Sequence, residues 1–187
     1  PLVAANVEKL GFRLNDVKWI VSSHEHDDHV GALAELKRLT GAQVAALSTS
    51  ADALAAGKPY EVDPQSEIAA PFPPIVVDRI LAPREILTVG SLQLTPHSTP
   101  AHAQGSTSWT WQTCESGQCH TMTYADSAST ISADDYRFSE NPMMIGLINE
   151  GLKGIKALPC GILMTPHPSA SNLFARMDAV YASQGGR

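Results

Sequence analysis

Apolar residues recur along the chain with helical spacing and, in other places, in short runs that are typical of strands. A period of three to four residues predicts helices over residues 2–10 and 29–39, the second of them closed by Gly41. Between these helices, the apolar run at 17–21 predicts a short buried strand. The segment 24–29 therefore lies at a strand-to-helix junction, where side chains of α/β proteins converge on an open crevice.

The rest of the chain continues this mixture without an internal repeat or a low-complexity segment. The alternation after Ile75 favours antiparallel strands, and the proline-rich stretch from Lys58 to Pro74 predicts a long loop. The predicted elements are a strand (42–47), a helix (50–56), strands (around 86–88 and 92–94, then 106–113 and 120–124), a helix (142–157), a strand (160–165) and a helix (171–182). We predict one mixed α/β domain over residues 1–187.

The composition is that of a compact protein, with 43% hydrophobic and 17% charged residues in a chain of 187. The net charge of −6, without a run of lysine and arginine, provides no basic face for phosphates. This argues against a nucleic-acid partner and favours a small-molecule substrate. No stretch approaches the roughly 18 uninterrupted apolar residues that a membrane span requires.

The chain contains three cysteines. Cys114 and Cys119 flank a short Glu-Ser-Gly-Gln turn that could bring them close enough for a disulfide. Cys160 is then either a free thiol or half of a bridge whose partner lies outside this sequence. The chain enters an amphipathic pattern directly after Pro1, without an initiator methionine or a leader, so we expect it to be trimmed at both ends.

The segment 24–29, called the histidine segment below, reads His-Glu-His-Asp-Asp-His and contains three of the chain's seven histidines. An isolated histidine is usually an ordinary polar side chain, but this density is typical of a metal site. On a tight turn, His24 and His26 can approach one ion while Asp28 and His29 face a second ion. A catalytic zinc needs about three protein ligands, so donors from elsewhere must complete both sites.

Two later histidines are candidates for this completion. His102 and His167 each follow an apolar run and lie on a turn that proline makes rigid. Such a turn can hold a ligand in place before the metal binds. His97 falls in or beside the strand ahead of His102, and His120 directly follows Cys119 in a predicted hairpin, so we interpret both as ordinary polar side chains.

Four motifs, HEHDDH, TPAHAQGSTSW, YADSAS and PHPSASN, resemble in their order and spacing the metallo-β-lactamase superfamily and specifically its subclass B3. The resemblance runs from Val3 to Ala182. It implies an αββα sandwich that lacks the family's first strands and its last segment. It also implies a hairpin disulfide of Cys114 with Cys119, and a partner for Cys160 in the missing C-terminal tail.

The resemblance assigns the ligands of two zinc ions. The first ion would be held by His24, His26 and His102. The second ion would be held by Asp28, His29 and His167. The chain departs from the family pattern where Ala101 replaces a glycine, Ala103-Gln104 replaces threonine-proline and Ser169 replaces a glycine, which alters the turn around His102.

The activity that the resemblance implies is hydrolysis of the β-lactam amide bond of penicillins, cephalosporins and carbapenems, which gives antibiotic resistance. Two zinc ions roughly 3.5–4 Å apart would create a metal-bound hydroxide that attacks the lactam carbonyl, with Asp28 orienting it or passing a proton. Ser127 and Ser129 match the pair that binds the carboxylate of the drug; without the resemblance they would be interpreted as turn caps. Ser127 lacks the G-x-S-x-G or S-x-x-K context of a covalent nucleophile.

Two other functions stay open. Asp126 follows the strand after which many hydrolases of this superfamily use an aspartate to bridge both metals, and such a bridge would favour a thioesterase or a lactonase. The other alternative is a metal-stabilised binding protein without catalysis, against which the complete ligand set argues. Two disulfides would indicate an oxidising compartment, so we expect a periplasmic or secreted protein that acts as a monomer.

Overall fold

Two β-sheets form the centre of the structure, a computed structural model that describes residues 2–183. The first sheet has parallel strands in the order β1 (Trp19–Ile20), β2 (Gln43–Leu47) and β3 (Arg79–Leu81). The second sheet has the order β4 (Leu87–Val89), β5 (Leu92–Ser98), β6 (Thr107–Glu115), β7 (Gln118–Tyr124) and β8 (Ile162–Met164). Neighbours in the second sheet are antiparallel, except that β7 and β8 are parallel.

Helices connect and flank these strands. The α-helices are α1 (Leu2–Lys9), α2 (Asp27–Val30), α3 (Leu33–Thr40), α4 (Ser48–Ala56), α5 (Pro142–Lys156) and α6 (Leu173–Ser183). Short 3-10 helices lie at Leu14–Asp16, Phe138–Glu140 and Pro168–Ser171. Across residues 2–183, every helix is too short or too polar to cross a membrane.

Strand β2 is buried on both faces, as expected for a central parallel strand with an unbroken apolar sequence. Its side chains point alternately to two hydrophobic clusters. One face packs against α2, α3, α4 and the loop that follows, with the core residues Val30, Leu33, Val44, Ala46, Leu54, Phe72 and Ile75. The other face packs against the second sheet, with Ala45, Leu47, Leu81, Leu87 and Trp109. Helix α5 lies against β5 of the second sheet.

Tertiary contacts change the expected ends and directions of several elements. The helix expected over 29–39 divides into α2 and α3, although Gly41 closes α3 with a φ of +68° as predicted. The strands predicted between Ile86 and Tyr124 pair antiparallel with their neighbours, whereas β3 was not predicted and runs parallel to β2. The reason is that α4 crosses between β2 and β3, and a helical crossover returns the chain in the same direction.

Strands β6 and β7 form a long ribbon that is closed by a disulfide. Cys114 and Cys119 lie directly opposite each other and are bonded, which confirms the prediction for this pair. Between them, Ser116 and Gly117 both have positive φ, the backbone of a two-residue turn that suits the twist of a hairpin. Cys160 is exposed and carries a free thiol.

Candidate metal centre

The candidate ligands lie on turns that follow strands. Strand β1 ends close to Ser22, whose carbonyl accepts a hydrogen bond from Trp109 Nε1 at 2.9 Å, and the chain then turns into the histidine segment. His102 lies in the turn between β5 and β6, and His167 follows β8. The strand ends meet at one edge of the fold, which brings together side chains that are far apart in sequence.

The first predicted set of ligands is assembled in the structure. His24, His26 and His102 each place a ligand atom within 4.8 Å of the other two. Their ring centroids are 4.7–5.1 Å apart, and all three side chains are largely buried. Three buried imidazoles that converge in this way could hold a zinc ion and leave a further coordination position open.

The second predicted set lies beside the first. Asp28 Oδ2 is 3.2 Å from His29 Nε2 and 3.6 Å from His167 Nε2, and the rings of the two histidines are 5.1 Å apart. The side chains of Asp28 and His167 are each 55% exposed, so this half of the centre is open to solvent. His24 also lies within reach of Asp28 and His29, which makes it the residue shared by both groups.

Two buried aspartates accept hydrogen bonds from two histidines of the first set. His24 Nδ1 donates to Asp126 Oδ1 at 2.9 Å, and His26 Nε2 donates to Asp63 Oδ2 at 3.1 Å. His24 therefore keeps Nε2 free, whereas His26 keeps Nδ1 free. Carboxylates that fix the tautomer of a ligand histidine are a regular feature of metal sites.

Two buried polar atoms without hydrogen-bond partners in residues 2–183 support the fit of these residues to a metal ion. His24 Nε2 and Asp126 Oδ2 are buried, and neither has a hydrogen-bond partner among the described residues. Buried polar atoms in proteins are nearly always paired, so an orphaned imidazole nitrogen at the centre of three histidines is explained by a cation there. Imidazole and carboxylate ligands in this number suit zinc.

His102 is held by Ser129, which lies on the segment that follows β7. Its Nδ1 donates to the backbone carbonyl of Ser129 at 2.7 Å and lies 3.2 Å from the hydroxyl of the same residue, which leaves Nε2 free. Ser129 is exposed and Ser127 is partly buried, both on the segment that follows β7. The structure thus brings this segment to the edge of the histidine cluster.

Asp63 and Gln65 were missed by the sequence analysis, which assigned their loop no ligand role. Gln65 Nε2 lies 3.2 Å from His102 Nε2 and 3.5 Å from His26 Nδ1, so its amide faces the free nitrogens of two candidate ligands. Asp63 is buried and also accepts a hydrogen bond from the backbone of Gln65. No local signal distinguishes them, because the proline-rich loop also contains other charged and polar residues.

The pKa values of the site favour neutral imidazoles at two positions. Burial, followed by the charge of His24, lowers the pKa of His29 to about 4, and burial also lowers the pKa of His102. Burial pulls the pKa of His26 down as well, but the hydrogen bond and charge of Asp63 outweigh it and raise the pKa. Neutral imidazole is the form that binds a metal, so little proton release opposes binding at His29 and His102.

The two remaining candidate histidines lie outside this cluster. His97 is in β5, where its Nε2 lies 2.8 Å from the hydroxyl of Thr110 on the neighbouring strand. His120 is an exposed residue of the β6–β7 ribbon. Both positions agree with their interpretation as ordinary polar side chains.

Comparisons with known proteins give the family. Residues 2–112 match the model of the metallo-beta-lactamase superfamily. The metallo-beta-lactamase MIM-1 from Novosphingobium pentaromativorans is 54% identical over 96% of this chain, with a TM-score of 0.93. SMB-1 is 36% identical over 98% of the chain, and MEM-A1, a subclass B3 enzyme from a soil metagenome library, is 38% identical over 98%, each with a TM-score of 0.90.

This chain belongs to the metallo-β-lactamase superfamily and, within it, to subclass B3. The expected fold class, the αββα sandwich of this superfamily, is confirmed. The chain spans 66% of the length of MIM-1 and 70% of the lengths of SMB-1 and MEM-A1.

Proposed function

We propose that this chain hydrolyses the amide bond of β-lactams with the help of two zinc ions. The observation that carries the proposal is the assembly of two adjacent ligand sets, one buried and one open to solvent, in a chain of subclass B3. His24, His26 and His102 would hold the first ion, and Asp28, His29 and His167 the second. When bound, the ions would polarise the lactam carbonyl and lower the pKa of a water molecule towards neutrality.

The chain's own residues would prepare the site for this chemistry. Asp126 and Asp63 keep the ring protons of His24 and His26 away from the metal. Asp28 is exposed next to the second ligand set, where its carboxylate can orient the attacking water or accept its proton. Ser127 and Ser129 lie on the segment beside His102, where their hydroxyls can donate to the carboxylate of the substrate.

The alternative functions, a thioesterase or a lactonase, depend on Asp126 bridging both metals. One oxygen of Asp126 accepts the hydrogen bond of His24, which occupies half of the carboxylate. This contact favours Asp126 as a residue that orients His24 and does not bridge the metals, and it hence favours the β-lactamase function. A non-catalytic binding protein is disfavoured because the solved structures that this chain resembles are metallo-beta-lactamases, and because all six candidate ligands are present.

We also propose a monomeric protein of the periplasm or the cell exterior that contributes to antibiotic resistance. The disulfide of Cys114 with Cys119 supports the compartment only, because such bonds persist in oxidising compartments.

A steady-state assay with a carbapenem and a cephalosporin tests the proposed reaction. We expect His102→Ala to lower kcat/KM by about a hundredfold or more, since the first ion loses one of three ligands. His120→Ala is the matched control, because this histidine is exposed on the ribbon and should keep the parent rate. Equal rates in parent and His102→Ala, or hydrolysis that a chelator leaves unchanged, would contradict the proposal.

A further inference from the structure

Glu25 is a fully buried carboxyl group that the proposed reaction does not use. It stands between two candidate ligands, His24 and His26, and its residue is 0% exposed. An ionisable side chain in such a place costs more free energy than an apolar residue of the same size. Its presence therefore calls for an explanation beyond packing.

The contacts of Glu25 lead to the turn that carries His102. Its Oε1 accepts a hydrogen bond from the backbone N–H of Gly105 at 3.0 Å, across 80 positions of sequence. The carbonyl of Gly105 in turn accepts a hydrogen bond from the hydroxyl of Ser50 at 2.7 Å. Glu25 is thus linked through its own side chain to the turn of the third histidine and through its backbone to the first two.

The fit between Glu25 and this turn is close. A Cβ atom added to Gly105 would lie 2.4 Å from Glu25 Oε2 and 2.5 Å from Ser50 Oγ, both shorter than normal contacts. Only glycine lets the backbone approach the carboxyl group in this way. A second link lies nearby, where Thr107 donates its backbone N–H to the carbonyl of Ser23 at 2.7 Å. The turn of His102 is therefore docked on the histidine segment through Glu25, and the start of β6 that follows this turn is held by the residue just before the segment.

We propose that Glu25 is a positioning residue of the first metal site, one that fixes the turn of His102 against the histidine segment so that three imidazoles face one point. The inference rests on the metal site of the proposed function. Without the carboxyl acceptor, the N–H of Gly105 would be buried without a partner, and the turn would shift to satisfy it. Such a shift moves His102 relative to His24 and His26, whose ring centroids are now 4.7 and 5.1 Å from it.

Zinc affinity measured on the metal-free protein tests this role without any substrate. Glu25→Met keeps the length of the side chain but removes the acceptor, and we expect the affinity of the first site to fall about 10- to 100-fold. The second site should keep its affinity. Glu25→Gln retains an amide oxygen for Gly105 and should restore first-site affinity to within about threefold of the parent, on the same scale.

The zinc titration includes a matched control variant and an alternative variant for the case that the first does not fold. Glu61→Met makes the same exchange at an exposed glutamate of the long loop and should leave both affinities unchanged. If Glu25→Met does not fold, Gly105→Ala displaces the turn from the other side and should weaken the first site in the same way. The absorption spectrum of the cobalt-substituted protein reports the coordination geometry. We expect Glu25→Met to change this spectrum, whereas the loss of a purely structural contact would leave it unchanged.

The outcomes separate this inference from the proposed function. Parent-like affinity at both sites in Glu25→Met, or in Gly105→Ala where the former does not fold, overturns the positioning role, whatever the activity. A weakened first site together with a parent protein that hydrolyses no β-lactam supports the positioning role and refutes the proposed function. Equal losses at both sites would also overturn the inference, because the proposed contact concerns only the turn of His102.

Discussion

Two buried aspartates decide which ring nitrogen His24 and His26 offer to a metal. Asp126 accepts a hydrogen bond from Nδ1 of His24, and Asp63 accepts one from Nε2 of His26. The same type of side chain therefore presents opposite nitrogens to one point in space. The His24 contact also holds the pKa of Asp126 below its ordinary value, although burial alone would raise it, so this carboxylate is ionised at neutral pH.

Asp126→Asn tests this arrangement while it preserves the shape of the side chain. We expect first-site zinc affinity to fall about 10- to 100-fold, because the amide carries no charge to stabilise the proton on His24 Nδ1. The measurement is a competition titration of zinc against a coloured chelator. Asp134→Asn, at an exposed position, is the control. A similar loss of affinity at both sites would instead favour an Asp126 that bridges two ions, and with it a thioesterase or lactonase.

The sequence predicted the candidate ligand residues that the structure brings together, but not the groups that support them. Three histidines in six positions are visible without a structure, and proline marks the turns of His102 and His167. Asp63, however, lies in a long loop whose course depends on burial of Phe72 and on contacts with Gly57. Such contacts between distant residues leave no local pattern of polarity.

At the scale of elements, α5 supports the site through a glycine. Its expected range was 142–157 and its observed range is Pro142–Lys156, so helical periodicity located it well. What periodicity could not indicate is the close approach of Gly151 to the turn of His102. A Cβ at Gly151 would lie 2.3 Å from the backbone nitrogen of Ala101, because the helix and the turn touch backbone to backbone. Helical periodicity is recognised from apolar side chains, and glycine has no side chain that would show which face of the helix is packed.

Gly151→Ala should therefore destabilise the protein although alanine favours helices. We expect a loss of about 1–3 kcal/mol in the free energy of unfolding, because the methyl group forces α5 away from the turn. Gly146→Ala in the same helix meets no atom within 4 Å and should stabilise by up to about 1 kcal/mol. Urea denaturation of both variants checks this, and effects of the same sign would argue against the close contact.

The direction of the strands shows a similar division between local and distant causes. Alternation located β5 to β7, since each of these strands pairs with its neighbour in sequence. The parallel pairing of β3 with β2 and of β8 with β7 depends instead on where a helix returns the chain. The pattern of apolar residues in a strand does not record that direction.

At the scale of the whole molecule, the metal centre connects segments from both sheets. The histidine segment follows β1 of the first sheet, whereas His102 and His167 follow strands β5 and β8 of the second. Metal ions bound to the two ligand sets would join the two sheets at one edge. Metal binding and the folding of the complete sandwich would consequently be linked.

Removal of zinc should accordingly lower the thermal stability of the parent protein. A ligand present at a hundred times its Kd stabilises the folded state by about 2.7 kcal/mol, which corresponds to a change in Tm of roughly 5–11 °C for a chain of this size. Differential scanning calorimetry with and without a chelator measures the change. His102→Ala should show a smaller change, and an identical Tm in both conditions would exclude a linked site in the parent.

The tip of the β6–β7 ribbon is a suitable site for attaching a dye or a surface linker. Its side chains from Thr113 to His120 are exposed, and the disulfide keeps the two strands together where no third strand from residues 2–183 pairs with them. Thr107 and Glu115 are the two ends of β6, so at about 3.3 Å per residue the tip lies roughly 26 Å from the turn of His102. A dye or a surface linker at Gln118 would thus report on the enzyme without disturbing its zinc ligands.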